Sequence, residues 1–118
     1  MSRFDKYDPV SGGFRARLGF APAGGDVNAI IAVGLDANGR IVKGSGNTGV
    51  LGALCLTSPL SQGDVADVMT DGEIVDVPGL DAGTVYFGTA AGAVDDVDTG
   101  VRLGHTVEAW RLVVRVAR

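Results

Sequence analysis

Short stretches in which apolar and polar residues alternate run along most of the chain, separated by glycine-rich turns. Alternation with a period of two places successive side chains on opposite faces of a β-strand, and Val, Ile and Thr favour that conformation. The pattern predicts seven or eight short strands, at 27–35, 40–43, 50–56, 65–69, 73–77, 84–87, 101–107 and 111–116. We therefore predict an all-β fold, either a small β-barrel or a sandwich of short antiparallel strands.

Two pairs of neighbouring strands are joined by residues that favour tight turns. Asn38-Gly39 stands between the first two strands, and Asp71-Gly72 stands between the fourth and the fifth. Asn-Gly and Asp-Gly pairs tolerate the positive φ angles that two-residue hairpin turns require. Both pairs of strands are therefore predicted to be β-hairpins.

The first twenty residues differ from the rest of the chain. Asp8-Pro9 and Ser11-Gly12-Gly13 interrupt regular structure, and four of the seven aromatic residues lie here: Phe4, Tyr7, Phe14 and Phe20. Such a segment cannot bury its rings by itself, so it packs either on its own domain or on another protein. We predict an extended N-terminal arm over residues 1–20, followed by a single β-domain over 21–118.

Charge is distributed unevenly within a net charge of −4. Residues 1–43 hold six Lys or Arg and four acids, 44–101 hold nine acids and no Lys or Arg, and 102–118 hold four Arg and one acid. If the chain ends lie together, one face is basic and the opposite face acidic; the alternative is an ordinary solvated acidic surface. The domain is acidic and lacks a basic stripe interleaved with aromatics, which argues against a nucleic-acid partner.

The segment GSGNTGVLGALCL, residues 44–56, contains a match to GxGxxG. A phosphate-binding loop of this type needs a following helix whose N-terminal amides point at the phosphates. Here the following residues contain Gly52 and, soon after, Pro59, which leave at most two helical turns. We interpret the stretch as a loop leading into a buried strand, and we predict no cofactor.

Candidate catalytic residues are few. His105 is the single histidine and Cys55 the single cysteine, so side chains cannot supply the thiolate and imidazole ligands of a structural zinc site, and Cys55 is interpreted as a buried, inert thiol. An enzyme would have to combine His105 with an acid such as Glu108 or Asp98. A β-strand histidine in so small a chain is more often a packed or surface residue, and we predict no enzymatic activity.

One acidic loop is the best candidate for a metal. It carries three carboxylates before a glycine: Asp95, Asp96 and Asp98. The spacing is not that of an EF-hand, so a solvated turn is the preferred interpretation. No long apolar span is present, which predicts a protein made in the cytoplasm with no membrane partner.

Three stretches carry a resemblance to a known family: KYDPVSGGFRARLG at 6–19, DVMTDGEIVDVPGLDAGTVYF at 67–87, and GHTVEAWRLVVRVAR at 104–118. They resemble the small capsid decoration (cement) proteins of tailed bacteriophages, especially those that infect actinobacteria. The resemblance implies a structural protein that binds the outer surface of the expanded capsid and stabilises it by bridging major capsid protein subunits. Such proteins commonly act as homotrimers, made in the bacterial cytoplasm and located on the virion exterior.

The resemblance also implies roles for individual residues. The arm would lie along the major capsid protein, with three apolar anchors and two ion-pairing residues: Phe4, Tyr7, Phe14, Arg15 and Arg17. The last strand, at 107–116, would be an edge strand that another subunit covers. Its predicted subunit contacts are Trp110, Leu112 and Val114. Two alternatives remain, another virion β-domain of a tail or fibre, and a small β-barrel binding or enzyme domain.

Overall fold

Ten strands build two five-stranded antiparallel sheets that pack face to face. The computed structural model describes residues 12–27, 29–56, 60–75, 80–97, 100–109 and 111–117. The strands are β1 (Gly13–Arg17), β2 (Ile30–Leu35), β3 (Ile41–Lys43), β4 (Gly52–Cys55), β5 (Val65–Met69), β6 (Asp71–Val75), β7 (Val85–Gly88), β8 (Val94–Asp95), β9 (Val101–Glu108) and β10 (Arg111–Ala117). A 3₁₀ turn, Gly24–Asp26, precedes β2. The all-β prediction is confirmed, in its sandwich form.

Each sheet has its own order of strands. The first runs β1-β5-β4-β2-β3 and the second runs β6-β10-β9-β7-β8. In the first sheet, a parallel bridge joins Leu18, just after β1, to Ile41 in β3. At that bridge the two outer strands approach each other, so the sheet curls around the side chains on its inner face. Among the described residues, no ladder of strand pairs closes the sheet into a barrel.

The two sheets are connected by one chain segment that crosses from the first to the second. The Thr70 amide, between β5 and β6, donates to the Gly12 carbonyl at 2.7 Å, and the Thr70 carbonyl accepts from the Val116 amide at 3.2 Å. The same residue therefore ends the pairing of β5 with β1 and begins the pairing of β6 with β10. Strands that switch sheets in this way make the corners of β-sandwiches.

The hydrophobic core has two layers. One lies inside the curl of the first sheet, where the buried apolar side chains are Leu18, Ile31, Val33, Ile41, Leu54, Leu56, Ala66 and Val68. The other lies between the sheets, where the larger buried side chains are Met69, Ile74, Tyr86, Leu103, Leu112 and Val114. Strands β2 and β4 are covered on both faces, which explains why their sequences are nearly continuous apolar runs.

Small residues let the sheets approach closely where they meet. A Cβ added at Gly88 in β7 would lie 2.6 Å from the Ala32 Cβ in β2, on the opposite sheet. Within the second sheet, a Cβ added at Gly104 would clash with the Val113 carbonyl of the neighbouring strand. Part of the glycine content therefore reflects packing between strands as well as turns.

One of the two predicted hairpins is present. β2 and β3 pair antiparallel through the Asn38-Gly39 turn, and the Gly39 φ angle is 78°. The second prediction is wrong, because β5 and β6 belong to different sheets and Asp71 and Gly72 lie within β6. The Asp-Gly pair there accompanies the crossing between sheets, and the Gly72 φ angle of 152° suits glycine.

The prediction that the last strand is an edge strand is also wrong. β10 lies between β6 and β9 and pairs with both. Leu112 and Val114 are fully buried in the layer between the sheets, so they have no surface to offer another subunit. Trp110 lies outside the described residues. Among the described residues, the outermost strands are instead β1 and β3 in the first sheet, which approach each other at the bridge from Leu18 to Ile41, and β6 and β8 in the second.

The first strand is part of the folded domain. β1 pairs with β5 along its whole length, and Leu18 directly after it is fully buried. The segment assigned to the arm therefore contributes residues 13–18 to the first sheet, while residues 1–11 lie outside the described residues. No helix in the described part of the chain is long and apolar enough to cross a membrane.

Shortening the Leu18 side chain tests this placement. Leu18→Ala removes a fully buried side chain from the first core layer and should lower the free energy of unfolding by about 2–5 kcal/mol. Val97→Ala is the control, because Val97 is 56% exposed and its loss should change the free energy by less than about 0.5 kcal/mol. Urea unfolding followed by circular dichroism measures both. Equal stability of the two variants would contradict the inclusion of residue 18 in the core.

Candidate interaction surface at the first strand

The described part of the predicted capsid-binding set lies on one strand. Phe14, Arg15 and Arg17 belong to β1, whereas Phe4 and Tyr7 lie outside the described residues. The alternation of the strand turns Phe14 towards the first core layer, where it is half-buried, and turns the two arginines to the exposed face. The structure thus separates Phe14, which packs on its own domain, from the two arginines, which remain on the surface.

Both arginines already contact their own domain. The Arg15 Nε atom donates to Asp67 Oδ1 at 2.8 Å, across the β1–β5 ladder, and the Arg17 Nη1 atom donates to the Gly63 carbonyl at 2.9 Å. The Arg15 side chain is nevertheless 55% exposed, and a guanidinium has five N–H donors. Each arginine therefore keeps donors for a partner.

The two ends of the described chain lie beside the same residue, Thr70. Gly12 and Val116 bind the amide and the carbonyl of the same residue, Thr70. β1 and β10 consequently lie end to end along one side of the continuous segment 65–75. The sequence-based condition that the chain ends lie together is met for the described ends.

Arginines near the chain ends form cross-strand ion pairs with acids of the central segment. Besides the pair formed by Arg15, Arg111 Nε lies 3.5 Å from Glu73 Oε1 and Arg115 Nε lies 3.7 Å from Asp71 Oδ1. Terminal arginines thus pair with acids of the central segment, because the terminal strands β1 and β10 flank the central strands β5 and β6. In the described residues, charges of both signs are interleaved on these strands, in place of one basic and one acidic face.

A second cluster of polar contacts fixes residues 20–26, which we call the joint after β1. The Asp26 carboxylate accepts from the Ala23 amide at 2.9 Å and from Lys43 Nζ at 2.9 Å, and Lys43 Nζ lies 5.3 Å from the centre of the Phe20 ring. The Ala23 hydrogen bond, and then Lys43, hold the pKa of Asp26 below its ordinary value. The cation–π contact and the ion pair together tie residues 20–26 to β3.

The glycine-rich loop has a structural role. Its amides at Gly44, Ser45, Asn47 and Gly49 donate to backbone carbonyls at 2.7–3.1 Å, and two of these bonds bind Ala32 and Ala90. A Cβ at Gly44 would overlap the Ala90 carbonyl. A phosphate cradle needs amides that point at a ligand. These amides are instead used to hold the loop against the turn after β7, and the loop leads into β4 as predicted.

Among the described residues, the candidate catalytic and metal residues form no common cluster. His105 is half-buried in β9, with Val113 and Val85 opposite it on the two neighbouring strands. Asp95 accepts from the Val97 amide at 3.1 Å, as in an ordinary aspartate turn. Among the described residues, no three His, Cys, Asp or Glu side chains are placed to hold a metal ion. Asp98 lies outside those residues.

A buried polar cluster was missed by the sequence reasoning. The Thr106 hydroxyl accepts from the Thr84 amide at 3.0 Å and donates to the Asp81 carbonyl, and the Tyr86 hydroxyl accepts from the Asp81 amide at 2.8 Å. These bonds hold the loop before β7 against the second sheet. Thr106 is only 2% exposed. The available signal was its position in an alternating strand, where a period of two places it on the same face as Gly104 and on the face opposite Val107.

The sequence reasoning also missed the position of Asp71 and Glu73. Both are exposed and lie on β6, the outermost strand on one side of the second sheet among the described residues. Their spacing, acid-x-acid, mirrors the Arg-x-Arg spacing of β1, which is an outermost strand of the first sheet.

The fold is shared with a known phage protein. A solved structure from Mycobacterium phage Patience superposes with a TM-score of 0.82 and 23% sequence identity, over 97% of this chain and 95% of that chain. No protein-family model matches the sequence. No curated protein matches it either. At this identity the likeness establishes a common fold over nearly the whole length of both chains.

Replacing the Asp26 carboxylate tests the joint. Asp26→Asn should lower the free energy of unfolding by about 0.5–1 kcal/mol at pH 7. Because folding lowers the pKa of Asp26, its charge stabilises the fold fully above the ordinary value of about 3.9, and this stabilisation is lost as the pH falls through the folded value. The difference between the two proteins should therefore be constant from neutral pH to about pH 5 and should shrink below about pH 4.

Urea unfolding over this pH range makes the measurement. Glu108→Gln is the matched control, since Glu108 is exposed at the end of β9 and its replacement should change the free energy of unfolding by less than about 0.5 kcal/mol at pH 7. A difference for Asp26→Asn that is the same at pH 7 and pH 3 would show that the charge of the carboxylate has no part in the joint.

Proposed function

We propose that this protein is a structural virion protein that binds the outer surface of an expanded phage capsid and stabilises it by bridging major capsid protein subunits. The observation that carries the proposal is the common fold with a protein of Mycobacterium phage Patience over nearly the entire chain. Mycobacteria are actinobacteria, the hosts indicated by the resemblance in the sequence. The proposed location is the capsid exterior, after synthesis in the bacterial cytoplasm.

The arm supplies the physical reason for attachment. Residues 1–11 precede the corner at Thr70, and eleven fully extended residues would reach about 36 Å, close to the largest dimension of the domain, 35 Å. The arm can therefore reach a neighbouring protein. Phe4 and Tyr7 are proposed as apolar anchors, since aromatic side chains are enriched at the energetic centres of interfaces. Arg15 and Arg17, exposed on β1, are proposed to contact the same partner where the arm joins the domain.

A structural role also agrees with the arrangement of the polar residues. The described candidates for catalysis, His105 and Glu108, form no hydrogen bond or ion pair with each other, and the glycine-rich loop uses its amides within the fold. A lattice presents the same binding site many times, so a weak contact per subunit is sufficient when subunits are linked. We propose that the protein acts as a homotrimer, without enzymatic activity, cofactor or nucleic-acid partner.

Deleting the arm tests the proposal. Purified protein should co-sediment saturably with expanded shells of the source phage and not with compact ones. Removal of residues 1–11 should weaken this binding at least about tenfold, the loss expected for one aromatic hot spot, while the melting curve stays the same because β1 and Leu18 remain. Deletion must stop before Gly12, whose carbonyl binds Thr70.

His105→Ala is the matched control for this experiment. A shell-binding protein with that substitution should bind as the parent does, whereas an enzyme or ligand-binding domain built around His105 should lose its function. Absence of binding to either form of shell would overturn the proposed attachment. In that case, the copy number in purified virions distinguishes a tail or fibre protein from a shell protein, which is present in roughly hundreds of copies.

A further inference from the structure

In the part of the chain that the structure describes, one side of β6 faces no pairing strand. The Thr70 carbonyl accepts from the Val116 amide, and along an antiparallel ladder every second residue directs its backbone groups at the partner strand. The even-numbered residues of β6 therefore bind β10. Three residues of β6 direct their amides and carbonyls to the opposite side: Asp71, Glu73 and Val75.

The open part of this edge begins after the corner at Thr70. β4 lies on the same side of the segment 65–75, and its single pairing position there is Met69. The residues of β4 also pair with β2 in the first sheet, whereas β6 continues into the second sheet. Glu73 and Val75 lie well beyond Met69 along the strand. Their amides and carbonyls form the open edge of β6, with Asp71 at its margin.

The side chains along the open edge of β6 are acidic and then apolar. Asp71, Glu73 and Val75 alternate with the inward-facing residues of the strand, so they share the outer face of the second sheet. The Asp71 and Glu73 side chains are 62% and 54% exposed, and Val75 is 40% exposed. Ile74 between them is buried and faces the core. An added strand would meet carboxylates and a valine on the outer face and an isoleucine on the inner face.

The two carboxylates have room for further cations. Glu73 Oε1 lies 3.5 Å from Arg111 Nε, and Asp71 Oδ1 lies 3.7 Å from Arg115 Nε. Both distances exceed the roughly 2.7–2.9 Å of charge-assisted hydrogen bonds. A Lys or Arg from another chain can therefore be added without breaking a short hydrogen bond. Opposite charges directly across a strand pair stabilise it, so this edge favours a basic strand.

The edge selects a short pattern in its partner. In an antiparallel strand, two apolar residues followed by Lys or Arg would lie opposite Val75, Ile74 and Glu73. Every such run in this sequence includes residues of β3 or β10: 41–43, 109–111, 113–115 and 116–118. Both strands are already paired within the domain. A second copy of this chain would have to unfold a strand to supply the pattern, so the occupant is a different protein.

We propose that the open edge of β6 binds an extended segment of a different protein, in which two apolar residues are followed by a Lys or Arg. The segment adds antiparallel to β6, with its basic side chain beside Glu73. Edge strands are templates for such pairing, in which backbone hydrogen bonds supply affinity and side chains supply specificity. This contact goes beyond the proposed attachment through the arm and β1, and it does not depend on that attachment.

A synthetic peptide tests the contact on the full chain. The probe is acetyl-TVVRART-amide, whose Val-Val-Arg run would lie opposite residues 75, 74 and 73 and whose second Arg would lie opposite Asp71. A titration followed by amide NMR shifts should saturate, with the largest changes at Glu73 and Val75. A peptide with Glu in place of both Arg residues should bind at least about tenfold more weakly.

A charge exchange at Glu73 tests the predicted register. Glu73→Arg should weaken binding of the probe roughly tenfold, because it places like charges across the strands. A peptide with Glu at the first Arg position should restore the affinity for this variant. Glu108→Arg is the matched control, since Glu108 is an exposed acid on the inner strand β9, and it should bind the probe as the parent does. Equal loss in both variants would overturn the proposed site.

Methylation of the peptide backbone separates edge pairing from a general effect of charge. The amide of the first Arg would donate to β6, so its N-methylation should abolish binding. The amide of the following Ala would point away from β6, so its N-methylation should leave the affinity within about twofold of the probe. Equal binding of the two methylated peptides would show that the probe lies on a side-chain surface, and would overturn the proposal.

Hydrogen exchange shows whether the edge is open before the peptide is added. The Glu73 and Val75 amides should exchange fast in the parent protein and slow at least about tenfold with saturating probe, whereas the Ile74 amide, which binds β10, should be slow throughout. Slow exchange at Glu73 without peptide would show that the edge is already covered. Absence of saturable binding would show that the acids only protect the edge from aggregation. Either result would overturn the proposal.

Discussion

The two hydrogen bonds of Thr70 determine the arrangement of both sheets. Its amide binds Gly12 near the beginning of the described chain, and its carbonyl binds Val116 near the end. The segment 65–75 therefore pairs with both the first and the last strand. Because β1 and β10 lie end to end along this segment, the terminal arginines fall opposite the central acids. The corner also turns β6 away from β4, and among the described residues one side of β6 has no pairing strand.

The crossing depends in turn on a core with two layers. A single flat sheet of this length could not cover both of its faces, whereas the first sheet curls around one layer and packs its outer face on the second sheet. Glycine and alanine at the contact between β2 and β7 permit this close approach. The polar groups that become buried there are few, and Thr106 and Tyr86 are both satisfied by the loop before β7. The loop is thereby held without reducing the apolar contact between the sheets.

The proposed attachment relies on residues before Gly12 and on Arg15 and Arg17 beside them. The proposed homotrimer would hold several such segments at set positions, which suits a repetitive partner surface.

Local pattern was sufficient for the all-β class, for most strand positions and for the β2–β3 hairpin, because alternation and turn residues act over a few neighbouring positions. Whether Asp71-Gly72 makes a hairpin or a crossing between sheets, and whether β10 is an edge or a central strand, depends on pairing between residues some forty to fifty positions apart. Only the tertiary structure decided these points, because the same alternation allows any of these pairings and the choice follows from which one fills both core layers.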